Sequence, residues 1–340
     1  MREQGIPGIG LAVVRNGKTI KAQGYGLANI ELSVPASAET IFEIGSITKQ
    51  FTATAVMLLV EEGRLSLDDP ISKYFPEAPP ALTGVTIRHL LTHTSGIPDI
   101  DGEVDVNTAG KGVVDLRHEY KEDELARAYL SQHLASQPGT KWNYCNVCYG
   151  LIGILIHRAT GKTYEDFLYE RIFAPLGMNT ARRFSYTDLI SKRATGYDTI
   201  GAAWKNTRRW QSESIFSDAA GGLAMSALDM AKWDAALDSE RIVKRSSLET
   251  MWKPLPFDDG SAYPDAIGWF VANANGHHIV FHTGGGPGAR AVISRYLDDR
   301  LTIVVLTNIG EGHSDVMKIV GQVAEIYLPD TKGANPVKDW

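Results

Sequence analysis

A serine and a lysine three residues apart form the first spacing in the chain that could support chemistry. Ser46 and Lys49 lie in the segment GSITK, which is followed by an apolar stretch with helical spacing. Residues three apart share one helix face, so both side chains would lie on the first turn. The field of a helix N-terminus would stabilise an oxyanion and disfavour a protonated amine, leaving a neutral lysine as base for the serine. The spacing alone equally suits a serine N-cap beside a solvent-facing lysine.

A tyrosine and an asparagine two residues apart supply a second pair of polar groups. Tyr144 and Asn146 flank Cys145. A tyrosine hydroxyl near a lysine ammonium can relay a proton, and an asparagine amide offers a donor and an acceptor to a substrate amide. By itself, the pair is also explained by a helix N-terminus with a buried tyrosine and an asparagine cap.

A third segment, His282-Thr283-Gly284, follows a strand-like stretch and precedes four more residues rich in glycine. A strand edge beside a nucleophile can bind an extended substrate through its backbone. Glycine permits close approach, and the Gly285 N–H could donate to an oxyanion. The alternative is a glycine-rich turn with a surface histidine.

In this order, the three motifs resemble the class C β-lactamase and DD-peptidase group of penicillin-recognising serine hydrolases, which carries S-x-x-K, Y-x-N and then K-T-G or H-T-G. The resemblance extends from about Gly8 to Tyr327. Supporting stretches are Phe42-Glu43-Ile44-Gly45, the segment TIRHLLTHTSG from Thr86 to Gly96, Pro138-Gly139, and Ala220-Gly221-Gly222-Leu223.

The resemblance implies a role for each motif residue. Ser46 would be the nucleophile that forms an acyl-enzyme, while Lys49 and Tyr144 would activate it and relay its proton. No metal and no organic cofactor is implied. The substrate-binding residues would be Asn146, His282, Thr283 and Gly284, and the oxyanion-hole N–H groups would be those of Ser46 and Gly285.

Two positions depart from the family pattern. In the β-lactamases that the chain resembles, a lysine stands at the position of His282. A histidine is only partly charged near pH 7. Cys145 stands where relatives usually carry serine. Arg290 could supply a partner for a substrate carboxylate, although it also suits a surface arginine.

The expected activity is therefore that of a D-Ala-D-Ala carboxypeptidase, a D-amino-acid peptidase or amidase, or a β-lactamase-related enzyme. A carboxylesterase acting on short-chain esters is the alternative, because H-T-G also occurs among esterases of this type. A non-catalytic peptide-binding member is a further alternative, which the presence of all three motifs opposes. An α/β-hydrolase would need G-x-S-x-G, and the sequence contains no such motif.

Two other spacings suggest metal or redox chemistry. Cys145 and Cys148 form C-x-x-C, but a zinc ribbon would need a second pair. Two small buried side chains, a redox pair and a disulfide remain open. His89 and His93 lie four apart, as a metal pair on a helix would, but they fall in a stretch that matches a structural segment of the family.

Composition sets the broad class and the partners. The chain has 340 residues, of which 44% are hydrophobic and 22% charged, with a net charge of −6. These values are typical of a globular protein, and they give no reason to expect nucleic acid. The resemblance implies a small-molecule or short-peptide substrate. The apolar runs are too short for a transmembrane segment, which needs roughly 20 residues. We expect a periplasmic or extracellular protein whose leader is absent from this chain, with a cytoplasmic location and the oligomeric state left open.

The elements that must position these residues follow from periodicity. Strand patterns lie at both ends of the chain, and the first two flank Asn16-Gly17, a dipeptide suited to a type I′ turn. Asp99 to Lys121 has the composition of a surface excursion. The predicted strands are Gly10–Val14, Thr19–Gln23, Ile279–His282, Ala289–Leu297 and Leu301–Thr307, and the predicted helices are Ser46–Glu62, Thr86–Leu91, Glu122–Gln137, Asn146–Thr160, Tyr164–Ile172, Ala227–Asp238 and Ser314–Tyr327.

This order predicts a mixed α/β fold, and the resemblance implies that it is of the β-lactamase/transpeptidase type. Both chain ends would build one antiparallel sheet flanked by helices, with a helical domain inserted in the middle. The predicted division is 1–45 with 262–340 for the α/β domain and 46–261 for the helical domain. The active site is expected in the cleft between them.

Overall fold

A computed structural model gives the fold of most of the chain. It describes residues 1–99, 117–200, 203–207, 212–216, 219–256, 262–263, 265–310 and 314–332. Most of the predicted surface excursion, residues 100–116, lies outside the described residues. Among the described residues, no helix is both long and apolar enough to cross a bilayer.

A seven-stranded antiparallel sheet contains both ends of the described chain, as the sequence predicts. Its strand order is β11-β12-β13-β14-β1-β2-β3, so the first strand pairs directly with the last. The strands of the described residues are β1 (Gly8–Arg15), β2 (Lys18–Asn29), β3 (Val34–Pro35), β4 (Ile41–Glu43), β5 (Arg182–Arg183), β6 (Tyr197–Ile200), β7 (Ala203–Asn206), β8 (Leu223–Ser226), β9 (Leu255–Pro256), β10 (Ala262–Tyr263), β11 (Phe270–Ala274), β12 (His277–Gly286), β13 (Ala289–Tyr296) and β14 (Leu301–Thr307).

The first hairpin has the turn that its sequence predicts. Asn16 and Gly17 both adopt positive φ, at 53° and 71°, as a type I′ turn requires. Strand β1 is buried along seven of its eight residues, because helices cover both faces of the sheet. A strand covered on both faces reads as a continuous apolar run, which explains the segment GLAVV.

The helices agree with the predicted ones in place but differ at some ends. The predicted helix Glu122–Gln137 stops at Leu130, where buried apolar residues give way to polar ones. The predicted helix Tyr164–Ile172 becomes a π-helical turn after Leu168. The helices are α1 (Thr48–Glu61), α2 (Ile87–Leu91), α3 (Glu122–Leu130), α4 (Asn146–Thr160), α5 (Tyr164–Leu168), α6 (Ala174–Leu176), α7 (Glu213–Phe216), α8 (Ala227–Asp238), α9 (Arg245–Met251) and α10 (Val316–Tyr327).

Two apolar cores lie on opposite faces of the sheet. Helix α10 packs on one face, where Val316, Val320 and Ala324 join the core. Helix α8 packs on the other face, and the core there continues into α1 and α4. The fold class is thus confirmed as a mixed α/β protein with its helical part inserted between the sheet-forming ends. The domain boundaries 45/46 and 261/262 remain a prediction.

Candidate active site

Ser46 lies on a short 3₁₀ turn, Gly45–Ile47, that leads into α1. Strand β12 passes this turn so closely that a Cβ on Gly284 would lie 1.8 Å from the Ile44 carbonyl oxygen. Gly45 has a φ of 50°, and a Cβ there would lie 2.6 Å from the Gly285 nitrogen. These glycines therefore allow the backbone N–H groups proposed for the oxyanion hole to approach the same side of the turn.

Lys49 is fully buried and held by three oxygen atoms. Its Nζ lies 3.3 Å from Ser46 Oγ, 2.6 Å from Asn146 Oδ1 and 2.8 Å from the Ala220 carbonyl oxygen. Together these three contacts fix the direction of the Lys49 side chain, so that its amine lies against the Ser46 hydroxyl.

Asn146 begins α4, and its amide is engaged at both ends. Its Oδ1 accepts from Lys49, while its Nδ2 donates to Asp99 Oδ2 at 2.9 Å. The second Asp99 oxygen accepts from the Val147 N–H at 3.3 Å. A carboxylate at this helix N-terminus is electrostatically favourable, so Asp99 both caps α4 and orients the amide.

Tyr144 immediately precedes this helix and lines the same pocket as Ser46. The Lys49 Nζ lies 4.8 Å from the centre of the Tyr144 ring and 5.3 Å from that of Tyr149. The structure thus brings together Ser46, Lys49, Tyr144 and Asn146, whose sequence positions span 100 residues. Their catalytic and binding roles remain predictions.

His282 lies at the pocket wall, but its ring is buried, with 2% of its surface exposed. The ring packs on Phe270 at 4.7 Å, and Nδ1 lies 2.6 Å from the Thr283 carbonyl oxygen. Burial, together with the charge of Lys49, lowers the pKa of His282 to about 3. The imidazole is therefore neutral near pH 7 and supplies no positive charge to the pocket.

Arg290 is half-buried and lines the pocket beside Ser46. It pairs across the β12–β13 hairpin with Gly285, and a Cβ on Gly285 would lie 1.9 Å from Arg290 Nη1. Burial lowers the pKa of Arg290 and the charge of Asp198 partly offsets this, yet a guanidinium stays protonated in proteins. The pocket has a volume of about 840 Å³. Arg290, on strand β13, therefore provides a positive charge in its wall.

Cys145 and Cys148 form a disulfide, which excludes the alternative of two separate small side chains. Cys145 Sγ also accepts from the Cys148 N–H and so caps α4. His89 and His93 do not form a metal pair, since His89 caps α2 and His93 contacts the segment around Tyr144. Among the residues that the structure describes, no group of three or more His, Cys, Asp or Glu side chains is suited to hold a metal ion.

Three groups in and around the site are not indicated by the sequence motifs. Asp99 falls at the edge of a polar stretch predicted to lie on the surface, whereas it contacts Asn146. The Ala220 contribution is a backbone carbonyl, which side-chain patterns do not reveal. Asp265 is buried behind Trp142, which donates to it at 2.5 Å. In the sequence, the position of Asp265 between apolar and aromatic residues could have indicated a buried carboxylate.

Comparison with known proteins identifies the family. The family model described as Beta-lactamase matches residues 1–327. Penicillin-binding protein 4* of Bacillus subtilis (strain 168) is 30% identical over 318 residues, which cover 86% of this chain and 68% of that protein. This relative and other curated relatives are longer than the chain, which spans 60% to 71% of their length.

Solved structures agree with this match. The octameric penicillin-binding protein homologue from Pyrococcus abyssi has a TM-score of 0.81 and 30% identity, covering 100% of this chain and 76% of that one. The D-amino acid amidase from Ochrobactrum anthropi SV3 has a TM-score of 0.80 and 26% identity, covering 97% of this chain and 95% of that one. The chain therefore belongs to the β-lactamase family of serine hydrolases.

Proposed function

We propose that this serine hydrolase forms an acyl-enzyme on Ser46 and acts as a carboxypeptidase on peptides that end in a D-amino acid. The observation that carries the proposal is the 3.3 Å contact between Lys49 Nζ and Ser46 Oγ. Since Asn146 and Ala220 hold the same nitrogen, the amine is fixed toward the hydroxyl. Such preorganisation is what nucleophilic catalysis by a serine requires.

In the proposed reaction, Ser46 Oγ attacks the carbonyl carbon of the scissile peptide bond and gives its proton to Lys49. The oxyanion accepts from the N–H groups of Ser46 and Gly285. Tyr144 passes the proton to the leaving amine as the C–N bond breaks, which leaves an ester on Ser46. Water then attacks this ester. A proton from the water passes to Ser46 Oγ and restores the hydroxyl as the acid product leaves.

The preference for a free carboxylate rests on the different charge states of two residues. His282 is neutral near pH 7, so H-T-G offers hydrogen bonds but no fixed charge. Arg290 lines the pocket and remains protonated, and a guanidinium binds a carboxylate through two parallel hydrogen bonds. A peptide with a carboxyl-terminal carboxylate matches this arrangement.

A D-amino-acid amidase is the second candidate. Among the similar solved structures is the D-amino acid amidase from Ochrobactrum anthropi SV3, with a TM-score of 0.80. An amide substrate presents no carboxylate to Arg290, so the two candidates differ in what this residue contributes. A buried disulfide favours an oxidising compartment such as the periplasm or the exterior, which suits either activity.

A substrate panel tests the proposal. It compares a peptide ending in D-Ala-D-Ala with the same peptide carrying a carboxyl-terminal carboxamide, together with a D-amino-acid amide, nitrocefin and p-nitrophenyl butyrate. We expect Ser46→Ala to lose all hydrolysis, and the wild type to prefer the free carboxylate. In Arg290→Gln this preference should fall by roughly 10- to 100-fold, the worth of a charged hydrogen bond, and Arg290→Lys should retain part of it.

The possible results separate the candidates. Turnover in Ser46→Ala would refute the acyl-enzyme. An unchanged carboxylate preference in Arg290→Gln would refute the role of this arginine. Faster turnover of the D-amino-acid amide than of either peptide would favour the amidase, and activity confined to the ester would favour a carboxylesterase.

A further inference from the structure

His93 holds the chain on both sides of Tyr144. Its carbonyl oxygen accepts from the Asn143 N–H at 2.9 Å, and its ring Nδ1 accepts from the Cys145 N–H at 3.0 Å. The residue has a φ of 57°, in the left-handed region that few side chains adopt. This conformation directs both its carbonyl and its ring to the same short segment.

The His93 ring also packs on the Tyr144 ring. Their centres lie 4.5 Å apart with an angle of 30° between the planes. Tyr149 lies against the same imidazole at 5.2 Å, and its hydroxyl donates to the Leu91 carbonyl. Because His93 is only 2% exposed, this cluster leaves the Tyr144 ring little freedom to turn.

Hydrogen bonding determines the tautomer of His93. Since Nδ1 accepts from a backbone N–H, the proton of the neutral ring lies on Nε2, which faces Asp265 Oδ2 at 3.9 Å. Burial is the main cause that lowers the pKa of His93 well below its usual value. Asp265 is protonated at pH 7, because burial raises its pKa to about 8. The ring is therefore an uncharged support for the Tyr144 segment.

We propose that His93 is a positioning residue for Tyr144, which it holds at the distance and angle needed to relay a proton between Ser46 and the leaving group. This inference rests on the proposed function, in which Tyr144 is the relay. His93 is not among the residues that line the pocket, and its ring lies against Tyr144, so Tyr144 is the group through which we expect it to act. A misplacement of about 1 Å in a reacting group can reduce turnover by as much as 10²-fold.

A double-mutant cycle between His93 and Tyr144 tests the proposal. The variants are His93→Ala, His93→Asn, Tyr144→Phe and the double variant His93→Ala/Tyr144→Phe. Asparagine tolerates the left-handed region and offers Oδ1 near the position of Nδ1, so it should preserve the bond to the Cys145 N–H. His89→Asn is the matched control, because His89 caps α2 and does not contact the Tyr144 segment. Each variant is assayed for kcat and KM, with its thermal midpoint and Ser46 labelling by a fluorophosphonate as checks on folding.

We expect His93→Ala to lower kcat about 10-fold or more while KM changes by less than about 2-fold, and His93→Asn to recover most of the loss. In the Tyr144→Phe background, His93→Ala should cost less than about 2-fold, because the relay is already absent. An equal loss of kcat in both backgrounds, or no recovery in His93→Asn, would overturn the proposal while leaving the acyl-enzyme intact. Wild-type turnover in Tyr144→Phe would instead refute the relay in the proposed function, and the role of His93 would be refuted with it.

Discussion

Asn146 can present its amide to Lys49 in only one orientation, because Asp99 accepts from the other end of the same amide. We predict that Asp99→Ala lowers kcat/KM by roughly 10-fold or more, the worth of a hydrogen bond to a charged group. Asp99→Asn keeps one acceptor and should lose less. Steady-state kinetics on the preferred substrate measures both. The exposed Asp123→Ala, on α3, is the control, and kinetics in Asp99→Ala as close to the wild type as in this control would contradict the prediction.

At the scale of single residues, the motif positions could be predicted but their support could not. Ser46, Lys49, Tyr144 and Asn146 carry recognisable spacings, and the structure places them around one amine. The partners of these groups come from distant segments or from the backbone. Asp99, the Ala220 carbonyl and His93 acquire their contacts only when the fold is complete, so no local pattern reveals them.

The disulfide lies at the first turn of α4, immediately beside Tyr144 and Asn146. We predict that Cys145→Ser/Cys148→Ala keeps activity within about 3-fold, because the serine oxygen can accept from the residue 148 N–H as the Cys145 sulfur does. The closed loop is short, so the entropic model gives a stabilisation of only about 2 kcal/mol. The thermal midpoint should fall by a few degrees. Loss of activity in a folded variant would mean that the disulfide, and not the cap, positions α4.

At the scale of elements, strand and helix positions followed from periodicity, and their ends depended on tertiary contacts. Strand β12 extends to Gly286, four residues beyond its predicted end, because the glycines keep pairing with β13 through the backbone alone. The opposite happens after Leu130, where the helix ends before the predicted Gln137 because the buried contacts stop. Backbone pairing and burial decided these ends, and neither can be read from a short window of sequence.

The stability of the whole molecule should depend on pH through Asp265. Burial raises the folded-state pKa of this carboxyl to about 8, against 3.8 as its ordinary value. Between these two pH values the unfolded chain ionises Asp265 and the folded protein does not, so the free energy of unfolding falls as pH rises and levels off above about pH 8. The variant Asp265→Asn cannot ionise at this position and should not lose this contribution as pH rises. Its thermal midpoint should therefore increase relative to that of the wild type between pH 5 and pH 8. A difference that stays constant over this range would contradict the prediction.

The position of β1 in the sheet has a consequence for how the protein is made. This strand lies between β2 and β14, and its residue Ile9 pairs with Thr307. A chain emerging from the ribosome displays β1 and the Ser46 turn early, while the strands that complete the pocket are still being synthesised. Contacts between such distant segments form slowly. The growing chain therefore exposes a long apolar strand edge without a partner, a state that chaperones protect. Nucleophilic reactivity at Ser46 should arise only after β12, β13 and β14 have joined the sheet.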